Sequence, residues 1–216
     1  MKTISSVVQD VIERSPMLGE MMSEGLANNA EIARRIQPEV ETLLLEKVSE
    51  SSIAMALHRL GKEKKPSPYG LKLLKKLNDI TVRSNLVAYS SANSAHLFEA
   101  FEKISKRAAR KRDTFLNFSR GLRESLLIVS EDFEAEVGTA LKGERGVEML
   151  RNLSAITMRL PEESLVVPGI YYPILKAIAF EGISLVEVMS VRTEFSIIFE
   201  DKDVDRAFSV IKRITS

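Results

Sequence analysis

Between Ile156 and Ile211 the spacing of apolar residues switches repeatedly between a strand period and a helix period, and this alternation narrows the fold more than any other feature of the chain. Ile156-Thr157-Met158-Arg159 reads as an opening strand. In Val167-Pro168-Gly169-Ile170, Pro168 holds the backbone extended and Gly169 leaves it uncrowded just before a helix, so free N–H groups there would face a small anion. Ile170, Ile174, Leu175, Ile178 and Ala179 share one helical face, Pro173 sits in the first turn, and Gly182 ends the helix as a left-handed cap. Residues 185 to 191 form a strand interrupted by Glu187, Arg192-Thr193-Glu194 is a polar hinge, and residues 195 to 199 form the next strand. A final helix, with Asp203 as its N-cap, carries Val204, Ala207, Phe208 and Ile211. The order over residues 153 to 213 is βαββα.

The first half carries echoes of the second. Ile80-Thr81-Val82-Arg83 matches Ile156-Thr157-Met158-Arg159, and Glu124-Ser125-Leu126-Leu127-Ile128-Val129 matches Glu194-Phe195-Ser196-Ile197-Ile198-Phe199. Between them the pattern predicts a helix over residues 95 to 112, a strand over 115 to 122 and a short helix over 133 to 141. The predicted fold class is α+β.

From about Asp79 to Ser216 the chain resembles the tandem ACT domains appended to aspartate kinases. The resemblance implies ferredoxin-like repeats paired side by side, with an amino-acid effector held near the loop before the first helix. Carried onto this sequence, the ligand-binding positions are Val167, Pro168, Gly169, Ile170 and Tyr171 in the loop and Ser184 at the strand start. The family often has Asn where Ser184 stands, and serine still donates and accepts one hydrogen bond. Glu187, a carboxylate in an apolar strand, is a candidate for the effector's ammonium group, against the plainer reading of an outward residue on a half-exposed sheet face. The first repeat has Ser91-Ala92-Asn93-Ser94 where the Pro-Gly pair would be and is expected to be a structural partner. The chain ends too soon after the last helix for a closing strand. The sheet is then completed by strand exchange or stays three-stranded per repeat, and an open edge favours a homodimer.

The N-terminal residues differ in texture, being helical in pattern throughout, with Pro16, Gly25, Pro38 and Gly61 as punctuation. The expected organisation is a small all-α domain over residues 1–61, a basic linker and connecting helix over 62–78, a degenerate ACT-like repeat over 79–150 and a second over 151–216. Asn29 is expected to cap one helix, Pro38 to start another that runs to Glu46, and Ser49 to start the last. Residues 29–36 and 48–53 resemble the two helices of a winged-helix or helix-turn-helix DNA reader, which implies base or phosphate contacts by Ser49, Ser51, Ser52, Arg59, Lys62, Lys64 and Lys65. The expected extra helix between them and the local acids weigh against this. Lys103, Lys106, Arg107, Arg110, Lys111 and Arg112 form a second basic run, whose plainer reading is a solvated helix face.

Formal charge is only +1 and cysteine is absent, so neither a strong electrostatic partner nor disulfide or thiolate chemistry is implied. No stretch matches a signal peptide or a membrane span, and a cytoplasmic location is expected. His58 and His96 are the only histidines, lie far apart in sequence and read as surface or interface residues, and no nucleophile elbow, phosphate loop or zinc motif is present. No metal, cofactor or catalytic residue is expected. The two functional readings are a DNA-binding transcriptional regulator that senses an amino acid or related small molecule, and a regulatory subunit docking on a metabolic enzyme. A ligand-free dimerisation scaffold is a third.

Overall fold

The computed structural model describes residues 2–63, 71–77, 79–111 and 114–215. Two compact units divide the chain, Met1–Tyr69 and Gly70–Ser216.

The first unit consists of helices. Thr3 caps α1 (Ile4–Glu13) in a reciprocal box with Ser6, and Pro16 begins α2 (Pro16–Ser23). Asn28, one residue earlier than expected, caps α3 (Asn29–Leu44) by accepting from the N–H groups of Ala30 and Glu31. Pro38 lies inside α3 and does not start a new helix. Leu45 then ends the helix in the left-handed region at φ 59°. A short connection leads to α4 (Glu50–Glu63), whose first turn Ser49 caps through Ser52 N–H. Val7, Val8, Val11, Ile32, Ala33, Ile36, Val40, Ile53 and Leu57 form the core of this unit.

The second unit is a six-stranded antiparallel sheet in the order β2-β3-β1-β4-β6-β5, with helices on one face. After α5 (Leu71–Leu74) the elements are β1 (Ile80–Ala92), α6 (Ala95–Ala108), β2 (Leu116–Arg120), β3 (Glu124–Ser130) and α7 (Glu134–Ala140), then β4 (Glu148–Arg159), α8 (Tyr172–Phe180), β5 (Glu187–Val191), β6 (Glu194–Glu200) and α9 (Asp201–Thr215). The last helix begins at Asp201. Asp203, expected as its cap, sits inside the first turn and pairs with Arg206.

β1 and β4 are far longer than the four-residue segments legible in the sequence, and they pair with one another across the centre of the sheet. Each half therefore holds three strands, and the β1–β4 ladder joins them without strand exchange. β3 pairs with β1 from Leu86↔Ser130 to Ala92↔Glu124, and β6 pairs with β4 from Leu153↔Glu200 to Arg159↔Glu194. Leu86 thus corresponds to Leu153, and Glu124 to Glu194. Asn85 and Asn152, both in the left-handed region at φ 59° and 56°, fall at matching positions where the β1–β4 register shifts. Each inserts one residue and inverts which alternate side chains face the core. The echo between residues 124–129 and 194–199 is therefore in register, but that between 80–83 and 156–159 is not. Ile80 lies across from Met158 in the same ladder, and the counterparts of Ile156 and Arg159 are Tyr89 and Ala92.

The helical face carries two cores. α8, α9 and Leu74 cover Ile156, Met158, Phe195, Ile197 and Phe199, while α6 and α7 cover Val87, Tyr89, Leu127 and Val129. Among the described residues the other face is built from strands and the residues leading into them: Leu86, Ala88, Ile128, Leu153, Ala155 and Ile198 are all buried there, with Phe115, Val186 and Met189 against them. Burial without a helix requires the sheet to roll so that its edges close over this inner face. Among the described residues no helix is long and apolar enough to cross a membrane.

Candidate functional site

The loop between β4 and α8 is anchored at both ends. Leu160 is buried and donates its N–H to Thr193 O in the β5–β6 hairpin, and a short 3-10 turn, Glu162–Val166, leads on to Val167. Arg192 in the same hairpin pairs with Glu162 at 2.8 Å. Val167 donates to Ser164 O, Pro168 and Gly169 are exposed, and Gly169 takes φ 72°, a conformation that a side chain would strain. Gly169 O accepts from Tyr172 N–H, closing the turn into α8. The Gly169 and Ile170 N–H groups bond to no described residue. Ile170, Ile174 and Ile178 are buried as the spacing implied, but Ala179 is exposed and Ala177 packs in its place. Gly182 at φ 65° closes α8, with Ile183 N–H donating to Ile178 O.

Tyr171 stacks on Phe195 with ring centroids 4.2 Å apart, and its hydroxyl lies 2.8 Å from Ser190 Oγ on β5. It is held as a half-buried packing group against the core. Ser184 does not join this loop. It is exposed in the coil after α8, two residues before Val186 and not at a strand start, since β5 begins at Glu187. The nine-residue α8 separates it from Gly169 by roughly 13 Å of helix. Glu187 sits on the outer strand β5, where its carboxylate accepts from Val188 N–H at 2.9 Å. Of the residues expected at one site, the structure gathers Val167, Pro168, Gly169, Ile170 and Tyr171 and leaves Ser184 and Glu187 elsewhere.

A second concavity lies on the inner face of the sheet, a cavity of about 320 Å³. Thr81, Arg83, Thr157, Glu194 and Ser196 line it from β1, β4 and β6, Met189 and Val191 from β5, and residues 114–117 from the start of β2. β2 and β5 are opposite edges of the sheet, so their meeting here is the rolling inferred from the buried inner face. Thr157 Oγ1 and Ser196 Oγ are 2.7 Å apart on its floor. Thr81, Arg83, Thr157, Glu194 and Ser196 fall within the echoed segments, but no single segment holds the set, because five separate strands supply the lining.

In the helical unit Ser51 is exposed, Ser52 half-buried, and both hydroxyls bond to Ser49 Oγ, at 3.0 and 2.8 Å. Arg59 and His58 are exposed, Lys62 lies in the last turn of α4, and Lys64, Lys65 and the linker prolines lie outside the described residues, as does Arg112. Glu50 flanks the serines and Arg34 approaches it at 3.6 Å. In the basic run of α6 and the turn after it, Lys106 pairs with Glu102, Arg107 with Glu136 and Lys111 with Asp132, so much of its charge is matched within the unit.

No family model and no curated protein matches the sequence. Solved structures do match by shape. They include the aspartate kinase of Clostridium acetobutylicum, with a TM-score of 0.54, 10% identity, and 65% of this chain against 35% of that one. The ligand-free regulatory subunit of aspartate kinase from Thermus thermophilus gives 0.52 at 12% identity, over 65% of this chain and 99% of its own. A structure of aspartokinase alpha and beta subunits gives 0.52 at 12% identity, over 64% and 97%. The chain thus spans about a third of the Clostridium enzyme. At such identities the likeness is one of fold: a mixed helix and antiparallel-sheet architecture of the ACT type.

Proposed function

We propose that the chain is a non-enzymatic regulatory protein whose sheet unit, a pair of ACT-type βαββα repeats, senses an amino acid or a related small molecule. The observation that carries this reading is the match in fold over 99% of the Thermus thermophilus chain, a regulatory subunit of aspartate kinase. The exposed Gly169 loop, whose Gly169 and Ile170 N–H groups bond to no described residue, supports it. A thermal-shift screen against the twenty amino acids tests it. A ligand that binds only the folded state at about 100 times its dissociation constant adds about 2.7 kcal/mol of stability. The absence of a shift with every compound would sink the sensing role and leave a dimerisation scaffold.

The helical unit is then the output arm, and its surface favours a protein partner over duplex DNA. Residues 1–61 hold nine acids against six lysines and arginines, and Met17, Met21, Leu26, Leu45 and Met55 are exposed. A duplex reader needs a basic face for phosphates. The partner this surface suits is a metabolic enzyme, with the chain as its regulatory subunit. One observation keeps the transcription-regulator reading in play: α3 and α4 are joined directly, without the intervening helix expected from Pro38, and Ser51 and Arg59 stand exposed on α4. Gel shifts across a salt series separate the two readings, since phosphate-mediated binding weakens steeply as salt rises. A homodimer would use the β2 or β5 edge, and sedimentation of the full chain measures it.

A further inference from the structure

The stretch that brings the chain into the sheet unit is built onto the same core as the loop that carries Gly169. A helix of four residues, α5 does not stand on its own propensity, and its form comes from packing. Leu74 is fully buried in the cluster that holds Ile170 of the loop, Ile174 and Ile178 of α8, and Ala207 and Ile211 of α9, and Leu73 and Leu77 pack against the same cluster. Lys76 and Leu77 N–H donate to Leu73 O and Leu74 O at 2.9 and 3.0 Å, which completes the turn. Two further ties reach the root of the loop: Asp79 O accepts from Arg159 N–H at 3.1 Å, and Lys76 Nζ lies 3.8 Å from Glu163 Oε1.

These ties differ in weight. The Lys76 and Glu163 side chains are 61% and 64% exposed, so their pair contributes little. The bond from Arg159 extends the β1–β4 ladder and belongs to the frame. The burial of Leu74 is different, because its seat is formed in part by Ile170, whose position depends on the turn at Gly169. The first half is arranged otherwise. There the chain enters β4 through turns at residues 141–147 that contain no helix, and β1 passes to α6 through Asn93 and Ser94 alone. Among the described residues, the half with the long loop is the one with an entry helix seated in its core.

We propose that α5 is a latch that couples the Gly169 loop to the segment leading to the helical unit. When the loop is settled, Leu74 is seated and the point where the chain enters the sheet unit is fixed. When the turn at Gly169 is disturbed, Leu74 loses part of its seat and α5 opens locally while the sheet stays intact. The dependence is reciprocal, since a seated Leu74 also holds Ile170 in place. Its use as an output rests on the amino-acid-sensing reading above, whereas the coupling is a property of the sheet unit and is measured without an effector.

Amide hydrogen exchange of the full chain, resolved by residue and compared between the unaltered protein and Gly169→Val, Leu74→Ala and Lys76→Ala, tests the latch. Circular dichroism melts check that each variant folds. We expect Gly169→Val to speed exchange at the Lys76 and Leu77 N–H groups about tenfold or more, and Leu74→Ala to do the same at those of Val167 and Tyr172. Leu127 and Val129 in β3 should change less, and Lys76→Ala should leave the loop amides as they are. If Leu74→Ala does not fold, Gly169→Val decides alone, because Gly169 is exposed. Equal acceleration at every amide, β3 included, overturns the latch, since α5 would then be one more part of a single cooperative core. Unchanged exchange at Lys76 and Leu77 in Gly169→Val also overturns it and leaves the sensing role standing without this output. A thermal-shift screen without a hit removes the sensing role and leaves the measured coupling as it is.

Discussion

The two halves of the sheet unit share a backbone plan and differ in what they mount on it. Both place three strands in the same register and kink their long strand at an asparagine with positive φ. The first half goes from β1 to α6 through only Asn93 and Ser94, and packs α6 with the stacked rings of Phe101 and Phe118, 4.2 Å apart. The second half inserts residues 160–171 at the same point and fills its core with Phe195, Ile197 and Phe199, where the first has Ser125, Leu127 and Val129. The lesson is that positions alike in both halves report what the fold demands, while positions that differ report what each half is for.

The sharpest way to break the comparison is to empty matched core positions. Phe199 and Val129 are both fully buried at corresponding places in β6 and β3. Phe199→Ala should cost about 3–5 kcal/mol and Val129→Ala about 2 kcal/mol, read from the shift in denaturant midpoint at constant slope. Equal losses would mean that the larger core of the second half does not carry the unit's stability.

Next in size are the bulges. A β-branched residue at positive φ is strained, so Asn85→Val and Asn152→Val should each destabilise by about 1–3 kcal/mol, while glycine at either position should be close to neutral. Similar losses at both sites would support the correspondence of the halves. A loss confined to Asn152 would show that the first half tolerates a straight β1.

These bulges also explain what the sequence hid. Strand alternation identifies residues 124–129 and 194–199 because those strands are unbroken. In β1 and β4 the inserted asparagines switch the apolar parity midway, so only residues 80–83 and 156–159 look like strands, and their likeness suggests an equivalence where the structure has a pairing. The Gly169 loop was legible because Pro168, Gly169, Pro173 and Gly182 act locally, each through its own backbone conformation. Ser184 was misplaced because Leu185 and Val186 extend the apolar run ahead of β5, and although Val186 N–H donates to Ile198 O on β6, the strand itself begins at Glu187. Asn28 rather than Asn29 as the cap of α3, and Pro38 within it, are shifts of a residue or a tolerated ring that periodicity does not register. The inner-face groove was invisible because its residues meet only through long-range pairing.

Another contrast between the halves pits Tyr89 against its counterpart Ile156. Ile156 shows that the position favours an apolar side chain, and the Tyr89 hydroxyl is buried with no hydrogen-bond partner among the described residues. Tyr89→Phe should therefore leave stability unchanged or raise it by about 1 kcal/mol, because a buried hydroxyl without a partner costs more than it contributes. Burial is the main cause that pushes the Tyr89 pKa up to about 12 from 10.0, and the Glu134 carboxylate adds to it while Arg151 opposes. Because the folded value lies above the unfolded one, stability is intact below pH 10 and falls as pH rises from 10 toward about 12. Tyrosinate absorbance should show a late ionisation from Tyr89, and Tyr89→Phe should remove that step and flatten the alkaline limb of the melting profile. Glu134→Gln should lower the late step only slightly, since desolvation is its larger cause. A full return to the ordinary tyrosine range in that variant would mean that charge, and not the apolar pocket Tyr89 shares with Val87 and Leu127, sets its titration.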